Sequence, residues 1–211
     1  MSNKIRISHY EKSTQVLGPG NRFVVWFQGC KKNCSGCINP EGRLLDGGYE
    51  IEVHELVKIV GAIPNIQGIT ISGGEPFLQF CGLKELVYLI KQNTNLDVML
   101  FSGYQYSEIV KRFNKNNIKN FFSLIDIFID GEYIEDLNEN QMFRGSANQN
   151  VYFFTNKYKN YESQILNAQN RNIEFTLDKH SNVFMVGIPP KGFYEKFVLE
   201  IREELYDGGK E

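Results

Sequence analysis

Apolar positions fall into short runs, and the segments between them repeat at helical spacing. Residues 22–28, RFVVWFQ, form a continuous apolar run. Such a run reads as a strand buried on both faces, the habit of a parallel sheet. Residues 68–72 (GITIS), 98–101 and 124–129 continue the series of strands. Between them, Val53, Leu56, Val57 and Val60, and then Leu83, Leu86, Val87 and Ile90, recur at the spacing of one helix face, and 106–113 reads as a further helix. Past residue 150 the pattern changes: a strand at 151–155, a hairpin of 173–177 and 182–188 turning near 178–181, and a closing helix over 193–205.

Strands alternating with helices imply βαβ units and an α/β fold with a mainly parallel sheet. Chemistry in such sheets gathers at the carboxyl ends of the strands. Three cysteines follow the first strand directly, Gly73-Gly74 the second, Ser102-Gly103-Tyr104 the third and Asp130-Gly131 the fourth. All four loops are therefore expected on one edge, around one active site.

Composition changes this picture little. At 211 residues, 42% hydrophobic and 23% charged, the chain reads as one well-buried domain, and no linker rich in Pro, Gly or Ser marks a boundary. A net charge of -2 and the absence of any basic run beyond Lys31-Lys32 argue against a nucleic-acid partner. Residues 1–10 alternate polar and apolar positions and hold no long apolar stretch, so neither a signal peptide nor a membrane span is expected, and the default location is cytoplasmic.

The cysteines carry the chemistry. Cys30, Cys34 and Cys37 crowd into CKKNCSGC, while Cys81 stands apart. Such crowding reads as metal binding rather than a disulfide framework, and thiolates suit zinc or iron–sulfur clusters. Structural zinc wants four closed ligands, and neither a fourth nearby cysteine nor a nearby histidine is present in the loop, so a zinc site would need completion by Cys81. Read alone, Cys81 is a small buried hydrophobe. Three thiolates on a cubane leave one iron open to a small molecule. One cysteine outside the motif is too few for a second cluster.

The spacing Cys30-x3-Cys34-x2-Cys37, together with Ile71-Ser72-Gly73-Gly74-Glu75-Pro76 after a strand, resembles the radical S-adenosylmethionine superfamily with its GGEP motif. The string LGPGNRFVVWFQGCKKNCSGCINP (17–40) is similar to the activating enzymes of glycyl-radical enzymes, closest to the activator of anaerobic ribonucleotide reductase. Gly18, Pro19, Gly20, Arg22 and Gly36 match that family's pattern. Ser102-Gly103-Tyr104 matches a TGY-like string, Ile129-Asp130-Gly131 a VDG string, and 143–149 (FRGSANQ) an RGSSNQ string.

The resemblance implies a partial (β/α)6 TIM-like barrel with the cluster at its top. It implies a 4Fe–4S cluster on Cys30, Cys34 and Cys37, and S-adenosylmethionine cleaved reductively to a 5′-deoxyadenosyl radical. Gly73, Gly74 and Glu75 would hold the cofactor's amino end, with Ser102, Asp130 and Arg144 as further cofactor contacts. The implied partners are a glycyl-radical enzyme as substrate and an external electron donor such as flavodoxin. Read blandly, Asp130-Gly131 is a turn and Arg144 a structural ion pair. The family's activators usually end near the RGSSNQ string. Residues 1–155 are thus expected as the radical core and 156–211 as a C-terminal extension, a hairpin and helix packed on it. The extension leaves room for another substrate, a peptide or small metabolite. A non-catalytic zinc or iron–sulfur binding module is the alternative from another class.

Overall fold

A seven-stranded sheet carries the protein in the computed structural model, which describes residues 3–177, 183–193 and 196–200. In chain order the elements are β1 (Lys4–Thr14), β2 (Arg22–Phe27), β3 (Tyr49–Glu52), α1 (Val53–Gly61), β4 (Gly68–Gly73), α2 (Phe80–Asn93), β5 (Asp97–Phe101), α3 (Tyr106–Arg112), α4 (Lys115–Phe122), β6 (Ile127–Asp130), β7 (Asn150–Phe153), α5 (Glu162–Asn167), β8 (Ile173–Leu177) and β9 (Val183–Gly187). The main sheet runs β3-β1-β2-β4-β5-β6-β7. Its centre, β2-β4-β5-β6, is parallel, and β1, β3 and β7 are added antiparallel. The α/β class with a mostly parallel sheet is as expected. The parallel core accounts for four strands of the main sheet, and β8 and β9 pair with each other in a separate sheet.

The reason β2 reads as an unbroken apolar run is visible in what covers it. Phe23, Val25 and Phe27 face the large core shared with Leu56, Val60, Leu83 and Leu86 of the helices, while Val24 on the opposite face packs with Leu17 and Val186. Both faces are thus dry, and side chains pointing either way must be apolar. Strand β1 went unread in the sequence, although its buried Ile5 and Ile7 alternate with more exposed neighbours. Helix α4 also went unread; it starts on an Asn114 side-chain cap and buries Ile118, Phe121 and Phe122.

One buried ion pair ties the amino ends of three parallel strands. Arg22, fully buried at the start of β2, donates from Nε to Thr70 Oγ1 (2.8 Å), from Nη1 to Pro19 O (2.9 Å) and from Nη2 to Ile69 O (3.0 Å). Its Nη2 lies 2.6 Å from Asp97 Oδ1 on β5, off the N–H direction, so this contact is ionic rather than a formed hydrogen bond. Asp97 also accepts from Tyr158 Oη (2.7 Å) and pairs with Lys157 Nζ (3.0 Å). The GPG-x-R string is thereby explained as a buried guanidinium with its acceptors built around it.

The C-terminal hairpin β8-β9 docks on the sheet face away from α1 and α2. Thr14 Oγ1 donates to Glu174 (2.6 Å), and Val186 and Ile188 pack against Val24 and Trp26. The expected turn at 178–181 lies outside the described residues. Of the expected closing helix, 196–200 is helical, and 201–205 lies outside them. No helix among the described residues is long and apolar enough to cross a membrane.

Candidate metal centre

The parallel strands end on one edge, and their loops converge there. A cavity of about 220 Å³ is lined by Cys30, Cys34 and Cys37 from the loop after β2, by Ser72, Gly73 and Gly74 from the end of β4, by Phe101, Ser102 and Gly103 at and beyond the end of β5, and by Gly131, Glu132 and Tyr133 after β6. The loops expected on one edge from the strand order thus line one cavity. Gly145 and Gln149 line it too, as do Gly187, Ile188 and Pro189.

The three thiols are unpaired and half-buried. Burial pushes the Cys30 thiol up, opposed by a hydrogen bond from Lys32 N (3.3 Å) and reinforced by the negative charge of Glu75 and the other two cysteines. A metal displaces those protons, so binding here strengthens as pH rises. Among the described residues no three Cys, His, Asp or Glu side chains are gathered around a single ion. In a cubane each thiolate takes its own iron, so the ligand sulfurs stand further apart than they do around one zinc. Among the described residues no fourth cysteine or histidine lines the cavity. Cys81 is exposed on α2 and outside the cavity lining. This corrects its reading as a buried hydrophobe, because its helix turns that position to water while Leu83, Leu86 and Val87 take the core. Three soft donors in one cavity, with no fourth among the described residues, fit a cluster with an open iron better than a closed zinc site.

The glycine pair has a structural reason of its own. Gly73 sits at φ +111°, and a Cβ there would lie 2.3 Å from Phe27 N and O; a Cβ on Gly74 would lie 2.3 Å from Gly29 O. Only glycines let the end of β4 lie against the root of the cysteine loop. Gly74 N then donates to Phe27 O (2.7 Å) and Glu75 N to Gly29 O (2.8 Å), fixing the loop beside the cavity.

Glu75 is fully buried beneath this contact. Its carboxylate accepts from Phe77 N (3.0 Å), Ser102 Oγ (3.0 and 3.1 Å to its two oxygens) and Gly103 N (2.7 Å). Burial raises its pKa to about 7 against the pull of those hydrogen bonds. Glu75 does not line the cavity; it joins the loop after β4 to the loop after β5. Ser102 lines the cavity, but its hydroxyl is donated to Glu75 and accepts from Tyr104 N (3.0 Å).

Asp130 and Arg144 also stand behind the lining. Asp130 accepts from Tyr106 N (2.6 Å), from Asn150 N and Nδ2 (3.2 and 2.9 Å) and from Tyr152 Oη (3.2 Å). Arg144 donates to Gln149 O (3.3 Å) and Leu166 O (3.0 Å), and its Nε is buried without a partner. It makes no ion pair among the described residues. Gln149 lines the cavity together with Gly145 of the 143–149 string, its Oε1 accepting from Gly145 N (2.7 Å) and its Nε2 donating to Gly131 O (2.7 Å). Sequence reasoning did not foresee the apolar lining from Leu17, Trp26 and Phe101, nor Lys32, whose Nζ lies over the Tyr104 ring at 5.0 Å.

The profile of a family described as "4Fe-4S single cluster domain" matches residues 16–152, and the chain belongs to that family. The chain is 28% identical over 148 residues to the anaerobic ribonucleoside-triphosphate reductase-activating protein of Vibrio cholerae, covering 66% of this chain and 92% of that protein. It is 28% identical over 142 residues to the protein of the same name from Enterobacteria phage T4, covering 65% and 86%. It is 38% identical over 114 residues to the pyruvate formate-lyase-activating enzyme of Clostridium pasteurianum, covering 50% of this chain and 48% of that enzyme.

Proposed function

We propose that this member of the 4Fe-4S single cluster domain family is a radical S-adenosylmethionine enzyme whose substrate is a glycine of a partner glycyl-radical enzyme. The observation that carries the reading is the meeting of three unpaired thiols and the Gly73-Gly74 backbone in one cavity at the carboxyl ends of β2, β4, β5 and β6. When bound, a 4Fe–4S cluster and S-adenosylmethionine supply a 5′-deoxyadenosyl radical and methionine, with the electron coming from an external donor such as a flavodoxin.

The chain's own residues hold and shape. Cys30, Cys34 and Cys37 are the ligands. Gly73 and Gly74 present bare backbone to the methionine end. Glu75, Ser102 and Asp130 act through the loops they brace, since their side-chain oxygens already have protein partners, and Arg144 braces its loop through Nη1 and Nη2. Leu17, Trp26 and Phe101 exclude water from the site. The reading takes the sheet as a partial barrel, supported by the strand-end loops from β2 to β6 lining one cavity. It takes 1–155 as the core and 156–211 as an extension packed on it, supported by the Thr14–Glu174 bond. A cytoplasmic location agrees with unpaired thiols, which survive best in a reducing compartment.

A peptide or small metabolite is the second reading for the substrate, favoured by the hairpin residues Gly187, Ile188 and Pro189 in the cavity wall. The activator reading is favoured by the names of the relatives. The test is anaerobic reconstitution with iron and sulfide, then reduction with S-adenosylmethionine and an assay for 5′-deoxyadenosine. Its appearance, dependent on all three cysteines, supports the reading. Tight zinc binding with no deoxyadenosine under any reductant leaves a metal-binding module. A glycyl-radical signal in a reductase or lyase partner, against turnover of a small molecule, separates the two substrates.

A further inference from the structure

The geometry points to Arg171 as the positioning residue that turns the C-terminal hairpin into a wall of the cysteine cavity, so that the wall sets the size of what reaches the thiols. Arg171 precedes β8 and its guanidinium is half-buried. It donates from Nε to Gln141 O (3.1 Å), from Nη1 to Pro189 O (2.9 Å), and from Nη2 to Gly145 O (3.0 Å) and Arg144 O. All four acceptors are neutral carbonyls, and they belong to two separate segments. Pro189 follows β9, and Gln141, Arg144 and Gly145 lie in the loop between β6 and β7. Gly145 and Pro189 both line the cavity. The planar fork therefore joins the two segments that form this wall.

A guanidinium suits the task. It presents five donors in a fixed plane and keeps its charge when partly desolvated, while an ammonium offers its donors from one point. Without this join the hairpin is held by Val186 and Ile188 on Leu17, Val24 and Trp26 and by Glu174 on Thr14 and Gln15, and the segment after β9 keeps one further bond to the same loop, from Lys191 N to Asn140 Oδ1 (2.8 Å). The wall passes a slender segment such as a glycine-bearing backbone and turns away bulky groups, a consequence that rests on the radical-enzyme reading. The join itself does not.

The test uses the full chain before cluster loading, with N-ethylmaleimide as a small thiol probe and fluorescein maleimide as a bulky one. In R171Q, the ratio of bulky to small labelling at Cys30, Cys34 and Cys37 should rise roughly tenfold, and amide exchange at 183–188 should accelerate by roughly tenfold or more, as expected for losing hydrogen bonds to a charged group. Labelling of exposed Cys81 and exchange in β2 and β4 should not move. R171K should fall between R171Q and the parent chain. Ile188→Ala widens the same wall without cutting the join, so it should raise the labelling ratio while exchange at 141–145 stays unchanged. Should R171Q disturb Cys81 or β2 as well, I188A decides. An unchanged labelling ratio in I188A, or faster exchange in R171Q with no change in the ratio, overturns the proposal. Failure to form deoxyadenosine would count against the proposed function and leaves this result standing.

Discussion

Replacing Glu75 with glutamine should abolish a specific part of the protein's pH dependence. The carboxyl is fully buried, and its pKa rises from 4.5 in its ordinary state to about 7 when folded. Between those values the folded chain holds a proton that the unfolded chain has released, so stability falls as pH rises through the window. With these two values, linkage gives a loss of about 1 kcal/mol by pH ~5.5 and about 3 kcal/mol by pH ~8, each measured from strongly acid solution. The difference across the window is about 2 kcal/mol. The amide that replaces the carboxyl cannot ionise and contributes no such slope. It also offers one acceptor oxygen where Phe77 N and Gly103 N occupy both carboxylate oxygens, so the variant should be weaker at acid pH by about 1–3 kcal/mol for the unsatisfied donor. At pH ~8 relief from burying a charge offsets that cost, and the two proteins should approach equal stability. The assay is urea unfolding of the reduced, cluster-free chain across this range, taking the difference between parent and variant so that other titrating groups cancel. Parallel profiles, with a difference constant to within about 0.5 kcal/mol, would refute the reasoning, because Glu75 would then be ionised throughout.

Other substitutions probe other parts of the same account. Cys34→Ala should bind almost no iron or acid-labile sulfide after anaerobic reconstitution, yet shift urea unfolding of the cluster-free chain by less than about 1 kcal/mol, since the side chain is only half-buried in a loop. Gly73→Ala should destabilise the chain by about 3 kcal/mol or more and lower cluster content, as its Cβ meets the Phe27 backbone at a left-handed φ. Arg22→Met should cost about 3–5 kcal/mol in unfolding free energy, because it leaves the Asp97 carboxylate buried with only Lys157 and Tyr158. Adding Asp97→Asn to Arg22→Met should recover part of that loss, and no recovery would mean that the guanidinium's bonds to Thr70, Pro19 and Ile69 carry the stability instead.

Periodicity and motif order by themselves determined the central strands, the helices α1 and α2 and the shared edge. Val24 and its neighbours must be apolar because both faces of β2 are covered, and that requirement is written into consecutive residues. The cysteine loop and the glycine pair were legible for a similar reason: each follows its strand directly, so placing the strand places the loop. Local pattern was insufficient where a polar group's partner lies far along the chain. Nothing near Glu75 announces that its acceptors serve Ser102 and Gly103, and nothing near Asp130 announces Asn150 and Tyr152. A carboxylate in a motif looks the same in sequence whether it faces a ligand or braces a loop. Cys81 turned outward because its neighbours on α2 had stronger claims on the core. The hairpin's part in the cavity wall was likewise decided by tertiary structure alone, since Arg171 satisfies carbonyls up to 30 positions away. Burial direction is a local property of a strand or helix, and the sequence carries it. The choice of hydrogen-bond partner is settled only when distant segments meet and every buried donor must find an acceptor.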